Sequence, residues 1–419
     1  MYFKKNTLAY VSSNTLDNQK QLILEILGVK EVNRIETYLG LPTLVGRAKY
    51  HTFSYLKDRI WKKLQGWKGL ILSKASKEIL IKVVAQSIPT YTMSVFQLPL
   101  KLCDELDALC AKYWWGQVGS ERKIHWRSWN KLTASKKDRG MGFRDLRAFN
   151  LAILVKQGWR MIQCSDSLLY QCFKARYFPC SSFLEAKVSP NCSYVWRSLM
   201  AAQPILLSGH CWWVGNGLSI NVLKDRWIPN YPSNSILHPV HEDVEGMRVV
   251  DLINPDLHIW RTEEIMSMFH REEAEAICQI PLSRRDVNDT IIWLHNSKGE
   301  FSVKSVYHVA RNLGDRTRTS GGYAEWKVWA TIWKLKLPNK IKIFGWWACH
   351  EILPIARNLF RRKVVQENKC QLCMREEEST VHALWDCVAI QDIWYGSIRK
   401  LQKTRHEQQD MKQLMVDLL

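Results

Sequence analysis

The side chains best suited to metal chemistry lie together near the end of the chain, where Cys370, Cys373, His382 and Cys387 read C-x2-C-x8-H-x4-C. A two-residue gap lets two thiolates on one tight turn grip a single ion, and the His/Cys gap matches mixed Cys/His zinc sites. Three thiolates and one imidazole close a tetrahedral shell with no position open to water or substrate, so the expected Zn2+ is structural. Free cysteine also packs as a small hydrophobe, and four unrelated core residues are the plain alternative. The surroundings oppose that alternative. Glu367, Asn368, Lys369, Arg375, Glu376, Glu377 and Glu378 make the segment too polar to be core without a staple. A RING-type module would need eight ligands for two ions, and only four are in place.

Catalytic chemistry is harder to find. No two aspartates are adjacent anywhere in the chain, and a two-metal polymerase needs clustered carboxylates to hold its ions about 3.5–4 Å apart. There is no G-x-x-x-x-G-K-[ST], no G-x-S-x-G and no H-E-x-x-H. Gly215-Asn216-Gly217 is half of a dinucleotide fingerprint, but it lacks the third glycine and joins two strand-like arms. The expectation is a chain without catalytic residues and without a small-molecule substrate.

Charge points to a polyanionic partner. Sixty Lys and Arg against forty Asp and Glu leave a net +20. Residues 41–80 and 121–147 together hold eighteen basic residues against five acidic ones, a surplus of thirteen. Concentrated positive charge is the footprint of phosphate binding, whereas scattered charge only keeps a protein soluble. The candidate contacts are Lys62, Lys63, Lys68, Lys74, Lys77, Lys82, Arg122 and Lys123. On a helix, Lys74, Lys77 and Lys82 share one side, with Ile79, Leu80 and Val83 nearer the other, so the lysines are expected to form an outward stripe. Trp61, Trp67, Trp126, Trp129 and Trp159 lie near basic residues. Such rings can stack on bases, although a tryptophan at helical spacing more often belongs to a core.

The elements that must hold these groups are mostly helical. Apolar periodicity predicts helices over 15–28, 51–66, 73–88, 100–115, 145–163, 167–178 and 193–205. Pro89 and Pro99 bound a predicted extension over Thr90–Leu98. Two hairpins are expected. The first has arms Trp212–Val214 and Leu218–Val222 around Gly215-Asn216-Gly217, and the second has arms Thr290–Leu294 and Glu300–Val303 around Asn296–Gly299. Pro229, Pro232, Pro239 and Pro255 make 229–260 read as a loose linker, and Gly314–Gly322 as a flexible loop. Helices follow at 302–312, 325–335 and 339–350. One from about 380 to 398 is expected to carry His382 and Cys387, ahead of a charged, weakly helical tail. No stretch approaches the 18 apolar residues of a membrane span, and Tyr-Phe-Lys-Lys-Asn after Met1 is not a signal peptide. Twelve cysteines without an even framework suit a reducing compartment, so the expected location is the nucleus or cytoplasm rather than the secretory route.

These residues carry a family resemblance. Tyr38-Leu39-Gly40-Leu41-Pro42, Trp67, Leu72-Ser73, Lys77-Glu78 and Ile88-Pro89-Thr90-Tyr91-Thr92-Met93-Ser94 are similar to the thumb region of plant non-LTR (LINE-type) reverse transcriptases. Tyr113-Trp114-Trp115-Gly116, Ile124-His125-Trp126, Gly140-Met141-Gly142-Phe143 and Lys156-Gln157-Gly158-Trp159-Arg160 follow in the same order. Asp225-Arg226-Trp227-Ile228-Pro229, Gly299-Glu300-Phe301-Ser302-Val303 and Pro338-Asn339-Lys340-Ile341-Lys342 lead into the quartet, which resembles the reverse-transcriptase zinc-binding domain. The likeness spans about residues 1–396. It departs at Arg139, where the family usually has a second glycine, and at Asn339, where it has a second proline.

The resemblance implies a chain that starts just beyond a Tyr/Phe-x-Asp-Asp active site and stops before any RNase H domain. The implied fold is mainly α with small β-hairpins. A remnant following the palm (1–45) precedes a helical thumb-like domain (46–208). A β-hairpin and linker region (209–285), a zinc-binding domain (286–400) and a charged tail (401–419) follow. The implied function is that of a truncated retroelement protein. It keeps zinc-dependent binding to RNA or DNA backbone, including retroelement RNA, and does not polymerise. Two rivals stand beside it: a zinc-stapled protein-interaction module, and a degenerate reading frame with no selected function. A separate chain could also supply a catalytic palm.

Overall fold

Capping residues set the helices of the first half. Pro99 precedes the helix Leu100–Trp115, where its missing N–H costs nothing. Ser73, Ser167 and Ser193 accept from the backbone N–H groups of Ser76, Tyr170 and Trp196 at 3.1, 3.3 and 3.2 Å, starting Lys74–Leu80, Leu168–Tyr177 and Tyr194–Gly209. Asp145 starts Leu146–Gln163 by accepting from Arg147 and Ala148. Gly116, at φ +82°, ends Leu100–Trp115 in the left-handed conformation. The computed structural model describes residues 8–9, 15–28, 30–31, 37–117, 123–229, 231, 234–236, 244, 246–283, 285–314, 323–396 and 410–417. The architecture is mainly α, with small strand pairs, as the periodicity predicts.

Among the described residues, three large apolar cores and two small clusters hold it together. The first joins Phe53, Leu56, Ile60, Leu106, Trp114 and Phe143 to Trp329, Ile343 and Trp346, more than 180 residues further on. The second packs Leu146–Gln163 against Tyr194–Gly209 and Val303–Gly314 around Trp196 and Trp293. The third collects Val214, Ile220, Trp227, Val249, Leu252, Ile265 and Phe269. The first two cores cross the boundaries expected at 208 and 285, and the third lies within 209–285.

Several local expectations change. The region 229–260 is not a loose linker where it is described: Ile236, Val244, Val249, Leu252 and Trp260 are core residues, and Pro229 and Pro255 lie in turns. The indoles of Trp227 and Trp260 donate to Val222 O at 2.9 Å and Ile280 O at 2.7 Å. Residues 230, 232–233, 237–243 and 245 lie outside the described residues.

The first hairpin does not form. His210–Trp213 pairs antiparallel with Thr290–Trp293, with His210 opposite Trp293. The cause is Asp289, whose carboxylate accepts from Gly215 N (2.8 Å), Gly217 N (2.9 Å) and Ser219 N (2.8 Å) and turns the chain away instead of back. Gly209 leaves room for this pairing, since a Cβ there would lie 2.3 Å from the Trp293 ring. The second hairpin keeps its turn, with Trp293 N donating to Gly299 O at 2.8 Å, but its second arm passes directly into Val303–Gly314.

Thr90–Leu98 is not extended either. It opens as the short helix Thr90–Met93, and the following backbone is satisfied by buried Asn150. That side chain donates to Met93 O and Phe96 O, both at 2.9 Å, and accepts from Leu98 N at 2.7 Å. In the C-terminal segment, Met411–Asp417 folds back on Asn339–Cys349 and buries Leu414. Residues 315–322 of the predicted loop and 401–409 of the predicted tail lie outside the described residues.

Candidate metal centre

A tight hairpin over 368–378 brings the first two cysteines together. Lys369 and Glu377 form an isolated antiparallel bridge, Cys370 N donates to Glu376 O at 2.8 Å, and Glu378 N to Asn368 O at 2.8 Å. At its tip Met374 adopts φ +57° and its N–H reaches Cys370 O at 2.8 Å, closing the turn. Ser379 then accepts from His382 N at 3.0 Å and starts a helical turn. The helix expected from 380 to 398 does not run through. Its first turn widens, so that Cys387 N bonds His382 O at 2.9 Å, and the chain breaks out of helix at Cys387, ψ 128°. That break turns Cys387 toward the hairpin.

The four ligand atoms lie within 4.8 Å of one another. Cys370 Sγ stands 3.8 Å from Cys387 Sγ, and Cys373 Sγ 3.4 Å from His382 Nε2. Zinc at its usual bond lengths in a tetrahedron separates two sulfurs by about 3.8 Å and a sulfur from an imidazole nitrogen by about 3.6 Å. The donor set therefore fits zinc in type, number and spacing. Cys370, His382 and Cys387 are buried, and Cys373 is half-buried.

The electrostatics suit thiolate ligation. Backbone N–H groups of Arg375 and Glu376 pull the Cys373 thiol down to about 6, with His382 and Cys370 adding to the effect. Burial pushes Cys387 up to about 11, so near neutral pH that thiol gives up its proton only with a bound cation to stabilise the thiolate. Glu376 Oε2 stands 3.2 Å from His382 Nδ1, outside hydrogen-bond alignment. This is the position of the outer carboxylate that orients a metal-binding imidazole through its other nitrogen. With four protein ligands the site has no coordination position for substrate, and its role is to hold the hairpin to the turn.

Other acidic residues fasten this unit to its neighbours. Glu351 accepts from Thr380 Oγ1 and, at 3.1 Å, from Met411 N, tying the zinc turn to the last helix. Glu378 accepts from Ala356 N at the start of Ala356–Arg361. Sequence reasoning missed Glu351, Glu376 and Glu378 as participants. The only signal was the Glu376–Glu378 run, which reads merely as polarity.

The predicted phosphate stripe is arranged differently. Lys74 Nζ donates to Trp114 O at 2.5 Å and lies 5.2 to 5.4 Å from the ring centres of Trp114, Trp115 and Trp347. Burial, with the charge of Lys77, lowers its ammonium to about 8. Lys82 Nζ donates to Glu78 at 2.6 Å and Met141 O at 2.7 Å, and Lys77 lies over Tyr113. Ile79 and Val83, expected inside, are 53% and 63% exposed. The helix is thus turned over relative to the expectation: its cations point at aromatic rings and carbonyls that satisfy them, and its small aliphatic residues face out. Lys62, Lys63 and Lys123 are exposed and Lys68 half-exposed. Arg122 lies outside the described residues. Among the candidate stacking rings, Trp129 lies on Phe143 (4.7 Å) and Trp159 on Phe301 (4.9 Å), while Trp61 is exposed.

Residues 301–394 match the family described as zinc-binding in reverse transcriptase. The chain is 27% identical over 367 residues to a putative ribonuclease H protein of Arabidopsis thaliana, covering 84% of this chain and 57% of that relative. It is 41% identical over 143 residues to an uncharacterized mitochondrial protein of Arabidopsis thaliana, covering 34% of this chain and 93% of that relative. The chain thus spans little more than half of the first relative. No helix among the described residues is long and apolar enough to cross a membrane.

Proposed function

We propose, for a chain that belongs to the reverse-transcriptase-related proteins of retroelement origin, that it holds nucleic acid and does not itself polymerise it. The closed Cys370, Cys373, His382, Cys387 cluster within the zinc-binding match carries this reading. A structural ion props up a surface rather than reacting. The net charge of +20 supports an anionic partner, and the absence of adjacent aspartates supports a non-catalytic role for this chain. The finer assignment, to non-LTR elements, rests on the order of motifs from Tyr38 to Pro338. On this reading the partner is RNA or DNA backbone, and the protein acts in the nucleus or cytoplasm.

A protein-docking role is the second reading. It is favoured by Leu372, Met374 and Tyr395, which are 66%, 70% and 86% exposed in and after the zinc hairpin. Binding of the full chain to an RNA–DNA hybrid, followed over a range of salt, separates the two. Nucleic-acid holding gives affinity that falls steeply with salt and falls again when zinc is chelated. No binding near physiological salt would sink the reading. Primer extension with magnesium or manganese should give no product that depends on a residue of this chain.

A further inference from the structure

The cations with the clearest outward placement are not those of the first basic run. Arg361, Arg362 and Lys363 are consecutive and exposed, at the end of the helix Ala356–Arg361. Lys363 adopts φ +57°, with its N–H on Phe360 O at 2.9 Å and Val364 N on Leu359 O at 3.0 Å. This is the helix stop that usually places glycine in the left-handed position. Here a lysine occupies it and adds a third charge. The Arg362 guanidinium lies 5.9 Å over the Trp126 ring, which brings the triplet onto the second basic run, between Lys123 and Arg139.

The two segments are locked in place. Arg127 Nη1 stands 2.8 Å from His350 Nδ1, His350 Nε2 stands 2.9 Å from Arg139 O, and the imidazole stacks on Trp329 at 4.3 Å. Arg127 is therefore the tie, and Lys123, Arg139 and Arg361–Lys363 border it. The acids of the nearby zinc hairpin are committed elsewhere: Glu376 against His382, Glu377 to Arg357 at 3.4 Å, and Glu378 to Ala356 N. Through Glu377 and Glu378 the zinc hairpin also anchors the helix that ends in the triplet.

We infer that Arg361, Arg362 and Lys363, together with Lys123 and Arg139, form one phosphate-binding surface for a nucleic-acid backbone, and that the zinc site serves to present the triplet. The inference rests on the nucleic-acid reading above and locates its surface. The rival is favourable placement of cations at a helix C-terminus, which stabilises the helix without any ligand.

The test uses the full chain with an RNA–DNA hybrid and a single-stranded RNA of equal length. Arg361, Arg362 and Lys363 are replaced together by Gln. A charge-matched control replaces exposed Lys187, Lys298 and Lys304. The triplet variant is expected to lose about tenfold or more in affinity, and its salt slope should drop by roughly two to three, while the control changes little. Chelating zinc should reproduce the loss in the parent chain and add little in the triplet variant. A second variant, R361K/R362K, keeps the charge and should keep binding; its failure would assign the arginines a packing role and overturn the inference. Equal losses in triplet and control, with the parent binding well, would also overturn it while leaving the nucleic-acid reading intact. A parent chain that binds neither probe would remove that reading itself.

Discussion

His382 has one ring nitrogen among the thiols and the other beside Glu376, and this division governs how firmly the site holds its ion. Glu376→Gln keeps the shape but weakens the carboxylate that orients the ring. Zinc affinity, measured by chelator competition, should fall about 10- to 100-fold, the usual cost of losing an outer partner. An unchanged affinity would mean that Glu376 only solvates the hairpin. Asp107 gives a second residue-scale test. Burial, reinforced by the charges of Asp145 and Asp104, lifts its carboxyl to about 8, against the opposing pull of the Trp129 indole and Arg147. The folded chain therefore keeps a proton that the unfolded chain releases near pH 4. Raising the pH from about 4 to 8 favours unfolding, so this contribution is present at low pH and lost as pH climbs toward 8. The midpoint of thermal unfolding should drop between pH 5 and 8, and Asp107→Asn should flatten that drop.

At the scale of elements, the segment after Thr90–Met93 depends on one side chain from another helix. Asn150 satisfies Met93 O, Phe96 O and Leu98 N in the interior. Asn150→Ala would leave three buried backbone groups without partners, each costing about 1–3 kcal/mol. A loss of about 3 kcal/mol or more in urea unfolding is expected; a loss under about 1 kcal/mol would show that water replaces the amide. Asp289 plays the same part for Gly215, Gly217 and Ser219. Neither residue stood out in the sequence. Asn150 reads as one polar position on an amphipathic helix, and Asp289 as loop composition. Their importance comes from backbone groups 52 to 74 residues away.

For the whole molecule, several cations dock one part of the chain on another. Lys74 meets Trp347, Lys136 meets Trp333 at 3.9 Å, and Arg127 meets Trp346 and His350. The first core is continuous across this junction. Trp347→Ala should cost about 3 kcal/mol. It should also raise hydrogen exchange in both Leu100–Trp115 and Asn339–Cys349, because the two helices share the contact. Faster exchange in Asn339–Cys349 alone would mean that the two parts are held by separate cores. Chelation should be gentler: residues from about 368 to 390 lose protection while Tyr55–Gly66 and Leu146–Gln163 keep theirs.

The sequence alone determined what depends on local spacing. Helices at 100–115 and 145–163 were legible because apolar periodicity acts within a few residues, and the caps at Pro99 and Asp145 are equally local. The zinc quartet was legible because ligand type and spacing are a local code. Tertiary structure decided which face of a helix turned inward, and here it reversed the reading of Lys74, Lys77 and Lys82. A lysine beside three indole rings and a carbonyl is satisfied inside, and nothing near it in the sequence announces rings 40 and 273 residues away. The same holds for His210–Trp213, which has a suitable turn beside it and yet pairs with Thr290–Trp293, because a distant carboxylate satisfies the turn's N–H groups. Periodicity records that a residue is apolar or charged; only the assembled chain supplies the partner that makes burying a charge affordable.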